Sequence, residues 1–294
     1  MTSRRAGAPR RGARTVAAVL GALVLAACGA GPTGAPAATA TTASPAASAA
    51  RPAPPPAGGV LDYQLGGAYP PAADVDVVVR DRTAAPVRGG YSVCYVNAFQ
   101  TQPGETAWWR RAHPDLLLRD ARGRLVEDED WPGEVLLDTS TSARRTAAAR
   151  VVGRWVDGCA AAGYRAVELD NLDAFTRSGG RLTQGQAVAF AGLLARRAHA
   201  AGLAVAQKNT AELTRRQVRA VGFDFAVAEE CQVWDECDVY TGHYGRHVLE
   251  VEYTDTGRRP FREACAARGD RVSVLLRDRD VVPRGTPGYV SEHC

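Results

Sequence analysis

The sequence predicts an α/β fold, a single (β/α)8 TIM-type barrel, and three observations predict it. Residues 60–294 number 235, close to the ~250 typical of such a barrel. Eight short apolar runs recur along them, and several are separated by helical patterns that alternate with the runs as parallel βαβ units do. The runs are Val75–Val79, Tyr91–Val96, Val135–Leu137, Ala166–Leu169, Leu203–Ala206, Phe223–Val227, Val248–Val251 and Val272–Leu276. Each reads as a strand buried on both faces. The helical patterns are Ser142–Ala162, Thr183–Ala201 with its stop at Gly202, Thr210–Ala220 and Arg259–Arg268. Between Asp81 and Gly90 there is room for almost no helix, so the first β/α unit is expected to be degenerate. The long polar stretch 111–134 is expected to form a small hairpin or lid. In GETAWWRR, Trp108 and Trp109 read as one exposed and one buried ring at a helix start.

The barrel is preceded by two segments of different character. Residues 1–27 read as an export signal: Arg4, Arg5, Arg10, Arg11 and Arg14 form a basic start, and Val16–Ala27 form an apolar run short for a membrane span. Leu25-Ala26-Ala27-Cys28 resembles a bacterial lipoprotein box, in which Cys28 would carry the lipid that tethers the chain to a membrane; a plain cleaved signal is the alternative. Residues 28–59, rich in Ala, Pro and Thr, read as a disordered tether. The expected location is the extracellular face of the cell membrane, or the medium.

Charge excludes one class of partner. The five arginines of the first 27 residues come off 36 basic residues and leave 31 against 32 acidic ones, so the overall basic balance gives no reason to expect nucleic acid. Six cysteines remain after Cys28, an even count in an exported chain, which favours disulfides over a metal cluster. Cys231 is expected to pair with Cys237, close in sequence, and Cys265 with Cys294, leaving Cys94 and Cys159 for a third pair. No cofactor and no metal is expected, and the chain is expected to be a monomer.

In a parallel barrel the chemistry sits at the carboxyl ends of the strands. Asn97 follows the second run, Asp170, Asn171 and Asp173 follow the fourth, and Lys208 and Asn209 the fifth. Glu229 and Glu230 follow the sixth, and Glu252 and Tyr253 the seventh. Carboxylates therefore arrive from three strands. Lys208 is the only lysine of the chain, which points to a compact ammonium where a guanidinium would not do; a chance survivor of the arginine bias is the alternative. The segments VELDNLD, AQKNT, FDFAVAEECQVWDECD and LEVEYTD, with VCYVNA and WPGEVLLD, resemble glycoside hydrolase family 114, the endo-α-1,4-polygalactosaminidase family, over Asp62–Cys294. Ala228 and Glu230 depart from its usual Asn and Gln, and Arg80 stands where an Asp is usual.

The resemblance implies that Asp170 and Glu229 flank a glycosidic bond, Asp170 as nucleophile or base and Glu229 as acid, with the inverse assignment open. Glu168 points to the same side of its strand as Asp170 and would either share a proton or contact substrate there, or form a buried salt bridge with a barrel arginine. Asn97 and Asn209 would cap strand ends or bind sugar, and Tyr253 and Trp234 would stack on a sugar face. The implied substrate is an amino-sugar polysaccharide, an α-1,4-linked galactosamine polycation. A groove lined by Glu168, Asp170, Asp173, Glu229, Glu230, Glu252 and Asp255 would attract it. Two other readings stand beside this one: a catalytically weak polysaccharide-binding surface lipoprotein, and a hydrolase holding a hard cation on DNLD and Glu229. The lack of a histidine pair and the lone Lys208 argue against the second.

Overall fold

A computed structural model describes residues 51–294; the signal segment, Cys28 and the first part of the tether lie outside the described residues. Eight parallel strands follow one another around a nearly closed barrel in chain order: β1 (Leu61–Gln64), β2 (Val77–Asp81), β3 (Tyr91–Asn97), β4 (Ala166–Asp170), β5 (Ala204–Lys208), β6 (Phe225–Glu229), β7 (Val248–Tyr253) and β8 (Ser273–Arg277). A short β9 (Ser291–His293) pairs antiparallel with β8. Register brings Asn97 level with Asp170 and Lys208 level with Val227, so the polar strand ends gather at one mouth.

Side-chain alternation decides what each strand offers to that mouth. Leu61, Tyr63, Val77, Val79, Val93, Ala166, Ala204, Ala206, Phe225, Val227, Leu249, Val251 and Leu275 fill the barrel interior. Alanines on β4 and β5 leave room for the tyrosine and phenylalanine opposite, as close packing requires. The other face of each strand packs on the helices: Val96, Val167, Leu169 and Val205 meet Val152, Val156, Phe190 and Leu194. Those residues belong to α2 (Ser142–Ala162) and α3 (Gln184–Ala200).

The helices begin and end where their caps dictate. Thr141 caps α2, which stops at Gly163 in a left-handed conformation (φ 98°) that glycine adopts without cost. Thr183 and Gln186 form a capping box on α3, and Thr214 and Gln217 one on α4 (Arg215–Val221). The pattern over 210–220 begins too early, because Asn209 and Thr210 have positive φ (43° and 66°) and turn the backbone before a helix can start. Sequence periodicity also misses α5 (Cys237–Tyr244), eight residues that open at a disulfide cysteine. α6 (Arg258–Arg268) closes the set, and α1 (Thr106–Ala112) carries Trp109 fully buried and Trp108 exposed.

One strand is exchanged for another. Val135–Leu137 is not a barrel strand; it makes isolated antiparallel bridges to Gln100, Leu117 and Glu127 within the long β3–α2 excursion. A short apolar run buried among loops looks the same in sequence as a central strand. The first barrel strand is instead Leu61–Gln64, whose Asp62 and Gln64 interrupt the apolar signal. They face out of the barrel into hydrogen bonds with each other and with Tyr69. Neither β1–β2 nor β2–β3 is bridged by a helix, so the expected degenerate unit is in fact two.

Arg51–Gly59, read as the end of the tether, lies against the amino ends of the strands. Arg51 pairs with Asp224 at 2.5 Å, Tyr91 donates to the Ala53 carbonyl (2.8 Å), His247 contacts the Pro55 carbonyl (3.1 Å) and Ser273 donates to Gly59 (2.6 Å). The six cysteines form Cys94–Cys159, Cys231–Cys237 and Cys265–Cys294.

Candidate active site

The carboxyl ends of β3 to β7 surround a cleft of about 200 Å³ lined by Tyr95, Trp131, Glu134, Asp170, Asn171, Asp173, Arg177, Lys208, Asn209, Glu229, Tyr253 and Arg279. Its floor is the inward-facing polar layer directly above the apolar interior. Tyr95, Glu168, Asp170, Lys208, Glu229 and Tyr253 all share the inward parity of their strands.

Lys208 is the hub of this layer. Its ammonium lies 2.8 Å from Glu168 Oε1, 3.1 Å from Asp170 Oδ1 and 3.3 Å from Glu229 Oε2, and donates to the Tyr63 hydroxyl at 3.1 Å. Burial opposes its charge, but the carboxylates of Asp170, Glu168 and Glu229 outweigh burial and hold the amine well above the ordinary lysine value. Burial likewise pushes Asp170 up. Lys208, the hydrogen bond from the Tyr95 hydroxyl (2.5 Å to Oδ2) and the Asn171 backbone outweigh it, so the Asp170 carboxyl sits below the ordinary aspartate value. Glu168 goes the other way: full burial raises it against the pull of Lys208 and Tyr63, with Asp170 adding a like charge. Glu229 accepts from the Tyr253 hydroxyl on Oε1 and from Asn209 Nδ2 on Oε2 (3.1 Å), while its backbone N–H donates to Asn209 Oδ1 (2.8 Å). Asn209 is thus a clamp on Glu229.

Asn171, with φ 61°, donates to Asn97 Oδ1 (3.0 Å), and Asn97 Nδ2 donates to Glu134 Oε2 (2.9 Å). Arg177 ties the rim together, reaching Asp128, Asp173 and Asn171 Oδ1. On the opposite rim Arg279 pairs with Glu230 and Asp255, and its guanidinium lies 4.1 Å over the Tyr253 ring. A second cavity of about 380 Å³ adjoins the first through Trp131, Asp173, Asn209, Glu229 and Arg279, and Trp234 lines it. Trp131 and Trp234 are 56% and 67% exposed at this edge.

Several sequence expectations change here. Glu168 is fully buried beneath the cleft, where its partner is Lys208 and not an arginine, and it holds that ammonium from below. Glu252 is also fully buried, because the inward residues of β7 are Leu249, Val251 and Tyr253; it faces the helix side and accepts from the Gln232 backbone. Burial raises Glu252 to about 8. The Tyr253 ring carries the Arg279 guanidinium on one face. Asp173 is paired with Arg177, and Glu230 and Asp255 share Arg279. Cys231, Cys237, Glu250 and Glu252 lie close together, but the two sulfurs are bonded to each other and Arg268 takes Glu250.

Tyr63, Tyr95, Glu134, Arg177 and Arg279 are site residues that the sequence reading passed over. Tyr95 was within reach, since it stands two positions before Asn97 on the same face of β3. Glu134 carries no such signal, because it precedes an apolar run, whereas Asp170, Lys208 and Glu229 end one.

The model of glycoside-hydrolase family GH114 matches residues 41–294. No curated protein sequence matches the chain. Among solved structures, Ega3 of Aspergillus fumigatus, crystallised with galactosamine, superposes with a TM-score of 0.65 at 22% identity over 81% of this chain and 96% of Ega3. The glycoside hydrolase domain of PelA from Pseudomonas aeruginosa superposes with a TM-score of 0.55 at 16% identity, over 77% of this chain and 97% of that domain. The extent of the family match, with the barrel beneath it, makes this chain a member of glycoside-hydrolase family GH114 and so a glycoside hydrolase.

Proposed function

We propose that the protein is an exported, lipid-anchored endo-glycosidase that cleaves an α-1,4-linked galactosamine-type polysaccharide, with Asp170 as nucleophile and Glu229 as acid and then base. The observation that carries this is the placement of both carboxylates within 3.3 Å of one buried ammonium. Two carboxylates gathered on one ammonium leave Asp170 itself to attack, the course of a retaining pair. Asp170, held ionised, attacks the anomeric carbon as Glu229 gives its proton to the departing oxygen. Glu229 then takes a proton from the water that releases the sugar from Asp170. The adjoining cavity and its exposed tryptophans give a polymer room and apolar surface on one side of the cut, which favours attack within a chain. The amino-sugar class is supported by the likeness to Ega3, whose structure holds galactosamine.

Incubation of the mature protein with galactosaminogalactan-type polymer and with chitosan, products read by mass, tests the proposal. Oligosaccharides are expected from the former, and none from it with Asp170→Asn or Glu229→Gln. Turnover like that of the wild type in either variant would overturn the pair.

A further inference from the structure

We infer that Glu134 is the carboxylate that recognises the amino group of the sugar held beside Asp170, so that preference for free amino sugars over N-acetylated or neutral ones depends on this side chain. The inference rests on the proposed amino-sugar reading and names the group that enforces it. Four carboxylates line the central cleft: Glu134, Asp170, Asp173 and Glu229. Lys208 serves Asp170 and Glu229, and Arg177 serves Asp173. The third cation of the cleft, Arg279, is taken by Glu230 and Asp255. Glu134 alone among the four has no cationic partner within the described residues.

Its surroundings fix its orientation and leave one oxygen open. Asn97 Nδ2 (2.9 Å) and Gln100 Nε2 (2.6 Å) both donate to Oε2, so the carboxyl plane is held from behind while Oε1 meets no protein donor. The residue is only 6% exposed, yet it lines the cleft, so what exposure it has is toward a ligand. Burial pushes its carboxyl up, the Gln100 and Asn97 amides pull it down, and the charges of Asp170 and Asp128 push it up again. A buried carboxylate in this state gains most from a cation. A protonated sugar amine supplies one with donors to spare. An acetamide removes the charge and adds bulk, and a hydroxyl offers only a neutral hydrogen bond. The connection Glu134–Asn97–Asn171 places this recognition in register with Asp170, so a sugar seated by its amine is aligned for attack.

The experiment compares wild type with Glu134→Gln, which keeps shape and an acceptor for the two amides. Its readout is the ratio of kcat/KM on fully deacetylated over N-acetylated α-1,4-galactosamine polymer, with galactosamine and galactose binding measured by calorimetry. The ratio is expected to fall roughly ten- to a hundredfold, the span of a charge-assisted hydrogen bond at a partly dry site. An unchanged ratio, including equal loss on both polymers, would overturn the inference. Glu134→Asp, which withdraws the charge by one methylene, is expected to fall between the two and serves if the Gln variant does not fold. Should wild type cleave neither polymer, the proposed function fails, and binding decides this inference separately. Preference for galactosamine over galactose, lost in Glu134→Gln, supports it; no preference, or one that survives the substitution, sinks it.

Discussion

Replacing Lys208 by Met removes the one cation that Glu168, Asp170 and Glu229 share, at nearly constant volume. Lys208 is 3% exposed and Glu168 fully buried, so the charges left behind cannot be rescued by water. Breaking a buried pair in this way costs about 3–5 kcal/mol, which for a domain of this size lowers Tm by on the order of 10 °C. The pH dependence carries a sign. In the wild type Asp170 titrates below its ordinary value, so its contribution is present above the unfolded aspartate pKa and lost as pH falls through the folded one. Lys208 titrates above its ordinary value, so its contribution is full below the unfolded lysine pKa and lost only as pH rises through the folded one. Both are in place around neutrality and add no slope there; the slope of the wild type comes from Glu168 and Glu252, which burial raises, Glu252 to about 8, so that stability falls as pH rises toward that value. Without the ammonium, Glu168 and Asp170 repel and bind protons more tightly folded than unfolded, so the Met variant should lose stability more steeply than the wild type as pH rises from 5 to 8. Chemical denaturation at several pH values reads this directly. Lys208→Arg separates charge from shape: it should keep the wild-type profile yet lose on the order of a hundredfold in turnover, because a planar guanidinium displaces Asp170 or the sugar by ~1 Å. A Met variant as stable as wild type at pH 8, or an Arg variant as active as the exposed helix control Arg196→Lys, would refute the hub.

Three further outcomes are expected. Tyr95→Phe removes the hydroxyl that donates to Asp170 Oδ2; Asp170 then titrates higher, and the acidic limb of the pH–rate profile should move up by about one pH unit, whereas an unmoved limb would detach Tyr95 from Asp170. Opening Cys94–Cys159, with a separation of 65 residues, should cost about 4 kcal/mol against about 2 for Cys231–Cys237, separated by 6; equal losses in urea melts would show that loop entropy does not govern them. Expressed in a bacterium competent for lipoprotein processing, the full chain should partition with membranes and Cys28→Ala should not, and equal solubility of the two would leave an ordinary signal peptide.

A cationic polymer, the proposed substrate, would meet fewer unpaired charges in the cleft than its composition suggests. Of the seven acids the sequence gathers at the strand ends, Glu168 and Glu252 are fully buried, and Asp173, Glu230 and Asp255 are each held by an arginine. Asp170 and Glu229 share Lys208. Three cations, Lys208, Arg177 and Arg279, hold six of these carboxylates between them and leave the cleft net negative, but its long-range pull is screened beyond ~8 Å at physiological salt. Discrimination has to come from contact at short range, where Glu134 stands without a cation.

What the sequence made legible follows from period, and what it hid follows from partnership. Asp170, Lys208 and Glu229 were readable because each ends an apolar run, and alternation turns all three inward. The same alternation, applied to β7 with Val251 inward, turns Glu252 outward: position after an apolar run does not fix which way a side chain faces, parity does. β1 was hidden because its outward Asp62 and Gln64 break an apolar signal, although they are satisfied by Tyr69 and by each other. Pairing leaves no such trace. That Glu168 would meet Lys208, or that Arg279 would cross from the loop after β8 to Glu230, depends on neighbours 40 and 49 residues distant, and many other arginines could serve as well in sequence. Glu134 shows the limit most sharply: it comes from an excursion between strands, and only the folded arrangement of Asn97, Gln100 and Asn171 turns an acid in a polar loop into an oriented carboxylate in the same cleft as Asp170.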